Sequence, residues 1–454
     1  MQGYYDFREA AYSISERSAW ILLGPKGSGK SASLEHLRIL WKHRHDRFVT
    51  VWELDSFPLQ EAAAIASVSG SETHRAQASW EFLLLLKVME SIDKDLGRGS
   101  TVDFDKLFKA LRDRGLVDAD SGVLVRELTK TTFTFDLKLA KLSRESTREK
   151  GEAADVSLLI RRALSSLSLE NRHLVALDGL DSYFFAGGSG WTSLSGLIEA
   201  IGSLNNFFHG ERLPVSVVAS LRSDHFDVIN SQNSNKLKGQ SIHLDWNERG
   251  IGPENHLWRL VQAKVAVGHP EVKDLVRDYL SEPMHSPTFP TVAQYLLSYT
   301  RLLPRDLIAL LRYVQGCHGG SSPVSEDAAK AATARYAQEY FVGEVMNNLS
   351  GVLPEDLSHR VADFREALRA APSRLFDFSY MTNELEGVLT PVQVKDLLRR
   401  MFETGGVGIS NPIGGRRFTD FVFRRVSGAA FTHRADFMLH DALTRAWNRP
   451  WHTR

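Results

Sequence analysis

The feature that most constrains this chain is the stretch LLGPKGSGKS, Leu22–Ser31. Glycine loses more conformational freedom on folding than any other residue, so Gly24, Gly27 and Gly29 in six positions cost stability unless the backbone there must stay bare. The spacing is G-x-x-x-x-G-K-S on Gly24, Gly29, Lys30 and Ser31. Such a loop curls so that successive N–H groups of Gly24, Pro25, Lys26, Gly27, Ser28, Gly29, Lys30, Ser31 and Ala32, proline excepted, can line one concavity suited to a polyphosphate. In that arrangement Lys30 reaches the β- and γ-phosphates, and the Ser31 hydroxyl holds Mg²⁺. The flanks supply the required context. AWILL before the loop reads as a short buried strand, and Leu34, Leu37, Ile39, Leu40 and Trp41 after it recur at roughly helical spacing. Chance would produce about 0.02 such matches in a chain this long. ATP and Mg²⁺ are therefore the expected ligands.

Other segments extend the strand–helix alternation. RFVTVWELD (Arg47–Asp55), RHLVALDGLD (Arg172–Asp181), LPVSVVASLRSD (Leu213–Asp224) and SIHLDW (Ser241–Trp246) read as strands, and strands alternating with helices predict a parallel sheet covered on both faces. The stretch from about 58 to 172 is too long for one crossover and reads as an insertion. It carries a helix around Gln77–Leu96 and a β-hairpin or lone strand at Thr131–Ser143. From about Asn255 the pattern is helical only, up to the linker HGGSSPVS, with Ser325 as the expected N-cap of the next helix. The expected division is a P-loop core over 1–250, a helical lid over 251–320 and a C-terminal domain over 324–454.

Two further acids and two arginines complete a candidate constellation. Asp178 ends an apolar strand, where a carboxylate can hold the water shell of Mg²⁺. Asp181 is placed to orient or deprotonate an attacking water, or to cap the next turn. Arg222 ends another buried strand at the edge where open α/β sheets bind ligands. Arg305 opens a helix as Pro304-Arg305 and is placed to reach back to a γ-phosphate; a surface ion pair is the competing reading of each arginine.

In the C-terminal region, Thr390-Pro391 starts a helix by cap and first-turn proline, and VGIS and FTDFVFRRV alternate as two strands around NPIGGRR. Helix, strand, turn, strand is the second half of a winged helix, which FMLHDALTRAW is expected to close as a helix. Arg399, Arg400, Arg416, Arg417, Arg424 and Arg425 give it local positive charge suited to DNA phosphates, with Gln393 the one helix residue placed for base readout. Protein contact is the competing use of that surface.

Composition sets outer limits. With 43% apolar and 24% charged residues the chain is ordinary for a globular protein, and a formal net charge of +0 gives no global field toward nucleic acid. One cysteine, Cys317, excludes an internal disulfide framework and suits a reducing compartment. His433 and His440 lack ligand-spaced partners and are expected to be structural. The sequence shows no apolar run of 18 residues and no leader pattern, so a cytoplasmic protein without membrane contact is expected.

GPKGSGKS, LVALDGLD, VVASLR and LLPRDL, in that order, resemble the AAA+ superfamily, and more closely its STAND branch and bacterial P-loop proteins allied to origin-recognition ATPases. The resemblance covers roughly residues 1–320. It implies that Asp178 acts as Walker B, Arg222 and Arg305 as nucleotide sensors, and that the chain works as a nucleotide-gated switch or oligomer. It also associates such chains with defence or stress systems and with effectors supplied by a partner. Position 179 is Gly where active AAA+ motors carry Glu, which implies slow hydrolysis. An ATP-gated DNA-binding protein of initiator or transposition-helper type, and a non-hydrolysing nucleotide-binding structural protein, are the alternatives.

Overall fold

The computed structural model describes residues 3–450 apart from 67, 100, 131–134, 137–149, 181–187, 230–236, 287, 321, 415 and 425–429. The described residues form two compact units: residues 6–26 with 30–244, and residues 3–5, 27–29 and 245–450.

The first unit is built on five parallel strands. They are β1 (Ile21–Leu23), β2 (Arg47–Glu53), β3 (Arg172–Asp178), β4 (Val215–Leu221) and β5 (Ser241–His243). Their order across the sheet is β2-β3-β4-β1-β5. The strands β3 and β4 read as near-continuous apolar runs because both of their faces are covered. β4 is buried along its whole length. Register aligns the C-terminal ends: Glu53 opposite Asp178, Leu177 opposite Ala219, and Leu221 opposite Leu23.

Alternation divides the strand residues between two faces. Trp52, Val175, Leu177, Val217, Ala219, Leu221 and Leu23 join one large core. That core is completed by α2 (Glu72–Asp93), α3 (Ala153–Ser165) and α4 (Gly188–Gly210). The opposite face, to which Glu53, Asp178 and Ser220 belong by alternation, receives α1 (Lys30–Trp41) through its contacts with β2 and β4. Leu34, Leu37 and Trp41 of α1 are buried.

The insertion is helical as expected, with a shift: its main helix runs Glu72–Asp93, started by Ser71 accepting from the His74 N–H at 3.2 Å, rather than Gln77–Leu96. Of the expected strand at Thr131–Ser143, Phe135–Asp136 pairs antiparallel with Lys150–Gly151; the rest lies outside the described residues.

The second unit holds α5 (His256–Gly268), α6 (Val292–Ser298), α7 (Pro304–Cys317) and α8 (Glu326–Tyr336). Asn255, Thr291 and Ser325 cap α5, α6 and α8 with their side chains. After α8 come a π-helical turn, Ala337–Phe341, and a further helical piece, Val342–Asn347. A four-stranded antiparallel sheet follows, from β6 (Leu375–Phe376), β7 (Val407–Ile413), β8 (Arg416–Asp420) and β9 (Asp436–Leu439) in the order β8-β7-β9-β6. Helix α9 (Pro391–Glu403) precedes its hairpin. The expected closing helix at FMLHDALTRAW is shorter than its apolar pattern suggests. Asp436–Leu439 is a strand paired with β7, and α10 (Asp441–Ala446) begins only after His440, whose Nδ1 accepts the Ala442 N–H at 3.0 Å. In FML, Phe437 pairs in register with Phe376 of β6 and stacks on its ring, with Phe431 against it as well, and that register holds the segment as a strand. Among the described residues no helix is long and apolar enough to cross a membrane.

Candidate nucleotide-binding site

The loop between β1 and α1 starts at the C-terminal edge of the sheet, where the Gly24 N–H donates to the Leu221 carbonyl at 3.3 Å. Gly27 and Gly29 have φ of 90° and 101°, a conformation that L side chains rarely adopt. A Cβ on Gly29 would meet nothing within 4 Å, so the backbone angle, not crowding, requires glycine there. Lys30 opens α1 and is 3% exposed; its ammonium donates to the carbonyls of Gly24 at 3.0 Å and Pro25 at 3.2 Å. The lysine is thus folded back across its own loop. Ser31 and Ala32 lie exposed in the first turn of α1.

Residues 27–29 belong to the second unit. There, Trp246 Nε1 donates to the Ser28 carbonyl at 2.9 Å, and the Arg305 N–H donates to the Gly27 carbonyl at 3.4 Å. The Ser28 hydroxyl is fully buried without a hydrogen-bond partner among the described residues. Within the first unit, the Gly24–Lys26 turn, the buried Lys30 ammonium folded across it and the N-terminus of α1 fit a polyphosphate.

Asp178 sits at the end of β3 and accepts a hydrogen bond from the Ser220 hydroxyl of β4. Its donor set, one strand-end carboxylate on the α1 face, fits a divalent cation held through water. Asp181 lies outside the described residues. Gly179 has φ +85°, and a Cβ there would come within 2.8 Å of the Asp55 backbone nitrogen.

Arg222 follows β4 and is 3% exposed. Its Nε and Nη2 grip Asp224 at 3.0 and 2.8 Å, a bidentate pair that holds the guanidinium against the chain just after the strand. Arg305 is the second residue of α7, behind Pro304, with its side chain about half exposed and 3.9 Å from Glu344. Its Cβ, Cδ and Nε lie over Gly27. The next residue, Asp306, is fully buried and takes both arms of Arg301 at 2.7 Å. Burial opposes the Arg301 charge, yet Asp306 outweighs it and holds the guanidinium's pKa above its ordinary value. Sequence reasoning missed Arg301. The signal was present as an arginine five residues before an acid at a helix start, but pairing at that spacing cannot be read without the intervening turn.

The six C-terminal arginines do not act as one set. Arg400 is buried, donating to the Asn348 carbonyl at 3.1 Å, so it is a structural residue rather than a phosphate contact. Arg417 pairs with Asp436 at 2.5 Å, and Arg399 lies over the Phe431 ring at 5.5 Å. Arg416 is exposed; the Arg424 side chain and Arg425 lie outside the described residues. Gln393 accepts from the Thr390 N–H at 2.8 Å in a capping box, which engages the one side chain expected to read bases.

No family model matches this chain, and no curated protein matches its sequence. Among solved structures, it is similar to the crystal structure of Cdc6p from Pyrobaculum aerophilum. The alignment covers 97% of this chain and 93% of that one, at a TM-score of 0.35 and 10% identity. A likeness that low carries no argument about activity.

Proposed function

We propose that this chain is an ATP-binding switch that hydrolyses its nucleotide slowly with Mg²⁺ and changes conformation or assembly with nucleotide state. The observation that carries this reading is the glycine-shaped loop closed on the buried Lys30 ammonium, with Asp178 at the neighbouring strand ends of the same sheet. In this reading Lys30 binds the β- and γ-phosphates, the Ser31 hydroxyl holds the cation and Asp178 its water shell. Bound Mg²⁺ supplies neutralisation of the phosphate charge. Arg222 and Arg305 report the γ-phosphate. Glycine at 179 supports a slow switch rather than a motor, since the left-handed backbone and the close approach of Asp55 disfavour a glutamate there.

The ATP-gated DNA-binding alternative draws less support. Arg400 is buried, Arg417 is paired and Gln393 caps its own helix. Any duplex binding through Arg399 and Arg416 would be sequence-tolerant and steeply salt-dependent.

Titration calorimetry with ATP tests the proposal. Lys30→Ala should weaken ATP at least about 100-fold, having lost the buried charge that faces the phosphates. Asp178→Asn should keep measurable binding and lose Mg²⁺-dependent phosphate release. Equal ATP affinity in wild type and Lys30→Ala would remove the phosphate assignment altogether.

A further inference from the structure

The reading above leaves the hydrolytic step without a carboxylate at 179. A glutamate there would need a left-handed backbone and would drive its Cβ to 2.8 Å from Asp55 N and 2.9 Å from Asp55 Cγ. That space is already taken by the end of β2, whose extension is tied in by the Leu54 N–H donating to the Asp178 carbonyl at 2.8 Å. The strand that closes position 179 also brings its own acids to the same edge.

We infer that Glu53, at the end of β2, is the catalytic carboxylate that takes a proton from the water attacking the γ-phosphate. This rests on the proposed nucleotide site. Three observations support Glu53 in particular. It lies directly opposite Asp178 in parallel register, so the two Cα atoms are about 4.8 Å apart and the side chains emerge on one face. That face carries α1, the helix opened by Lys30, and Ser220, the donor to Asp178. Glu53 is exposed, and its carboxylate makes no hydrogen bond or ion pair with a described residue. Asp55 is the nearby competitor. It sits beyond the strand, packed against Gly179, and already has an interaction of its own.

The step balances simply. The water oxygen bonds to the γ-phosphorus while one of its protons passes to the Glu53 carboxylate. The bond from that phosphorus to the β,γ-bridging oxygen breaks, its electron pair leaving with ADP. Glu53 then returns the proton to solvent. Asp178 stays with the cation, so the two acids divide the work between neighbouring strands.

The test uses the full chain with Glu53→Gln, which keeps shape and removes charge. Phosphate release at saturating Mg·ATP should fall at least about 100-fold, the range for removing a general base. Glu53→Asp should retain a part of the rate. Calorimetry supplies a second readout: with Mg²⁺ present, ATPγS should bind Glu53→Gln as tightly as wild type or up to about tenfold tighter, with ADP unchanged. Removing a negative charge beside the γ-phosphate, and nowhere near a diphosphate's end, gives that asymmetry. Turnover of Glu53→Gln within threefold of wild type overturns the inference. So does loss of turnover in Asp55→Asn or Asp181→Asn while Glu53→Gln remains active, and so does a wild type that binds ATPγS through Lys30 without any turnover. ATPγS binding that ignores Lys30→Ala instead removes the nucleotide site itself, and this inference with it.

Discussion

Adjacent residues of LLPRDL should respond oppositely to mutation, and Asp306→Asn makes that contrast measurable. Arg301 and Asp306 have side-chain exposures of 5% and 0%, and they meet through two bonds of 2.7 Å with a third from the Arg301 N–H at 3.1 Å. Asparagine keeps the shape and strips the charge, leaving a buried guanidinium with Glu344 at 3.6 Å as its remaining acid. Breaking a buried pair from one side costs about 3–5 kcal/mol, because the desolvation of the surviving ion is no longer offset. At about 2–4 °C per kcal/mol for a unit of some 200 residues, the midpoint should drop by about 6–20 °C. Arg305→Ala removes a half-exposed side chain 3.9 Å from Glu344, a contact worth at most about 1 kcal/mol, and should move the midpoint by no more than about 4 °C. Differential scanning calorimetry of the full chain reads both. Nucleotide titrations run alongside should show the mirror image: Arg305→Ala weakens ATP more than ADP, and Asp306→Asn weakens both alike at temperatures where it is folded. An Asp306→Asn midpoint within 2 °C of wild type would refute the buried-pair reasoning.

Arg222→Ala should weaken ATP more than ADP; equal weakening would confine Arg222 to its pair with Asp224. Gly179→Ala should destabilise the first unit by at least about 1–2 kcal/mol from the left-handed backbone alone, and a thermal midpoint equal to wild type would contradict the close approach to Asp55. His173 is buried, with Nε2 3.3 Å from Asp95; burial pushes its pKa down and Asp95 recovers only part of the shift. Its folded value lies below that of the unfolded chain, so its contribution to stability is present above about pH 6.5 and lost as pH falls further. Urea midpoints between pH 7.5 and 5 should show that decline, and it should be smaller in His173→Gln.

The parts of the fold visible in the sequence are those where one interaction dominates locally. β3 and β4 stand out because both faces are buried, so apolar residues run almost unbroken through their middles, Leu174–Leu177 and Val217–Ala219. Ser325 and Thr390 mark helix starts because a cap depends on residues three apart. The boundary errors come from elsewhere. Helix α2 begins at Glu72, before its apolar run, because Ser71 caps it there. FML in β9 has the composition of either element and is settled by pairing with Val407–Ile409 of β7, about thirty residues upstream. No window of sequence contains that partner.

The site divides the same way. Gly24, Gly29 and Lys30 form a contiguous motif, and the loop they make depends on local backbone angles. What Arg400 and Arg222 do is not local in that sense. Charge alone grouped Arg400 with Arg399 and Arg416, but its guanidinium reaches back 52 positions to Asn348. Glu53 lies at the far limit of legibility, because its meaning comes from the register that sets it against Asp178, 125 positions away. Gly179 is the link between the two scales. Read alone it looks like the loss of a catalytic acid. Set against Asp55 it becomes the clearance that lets β2 run alongside β3 to the sheet edge, and that clearance brings a different acid to the same place.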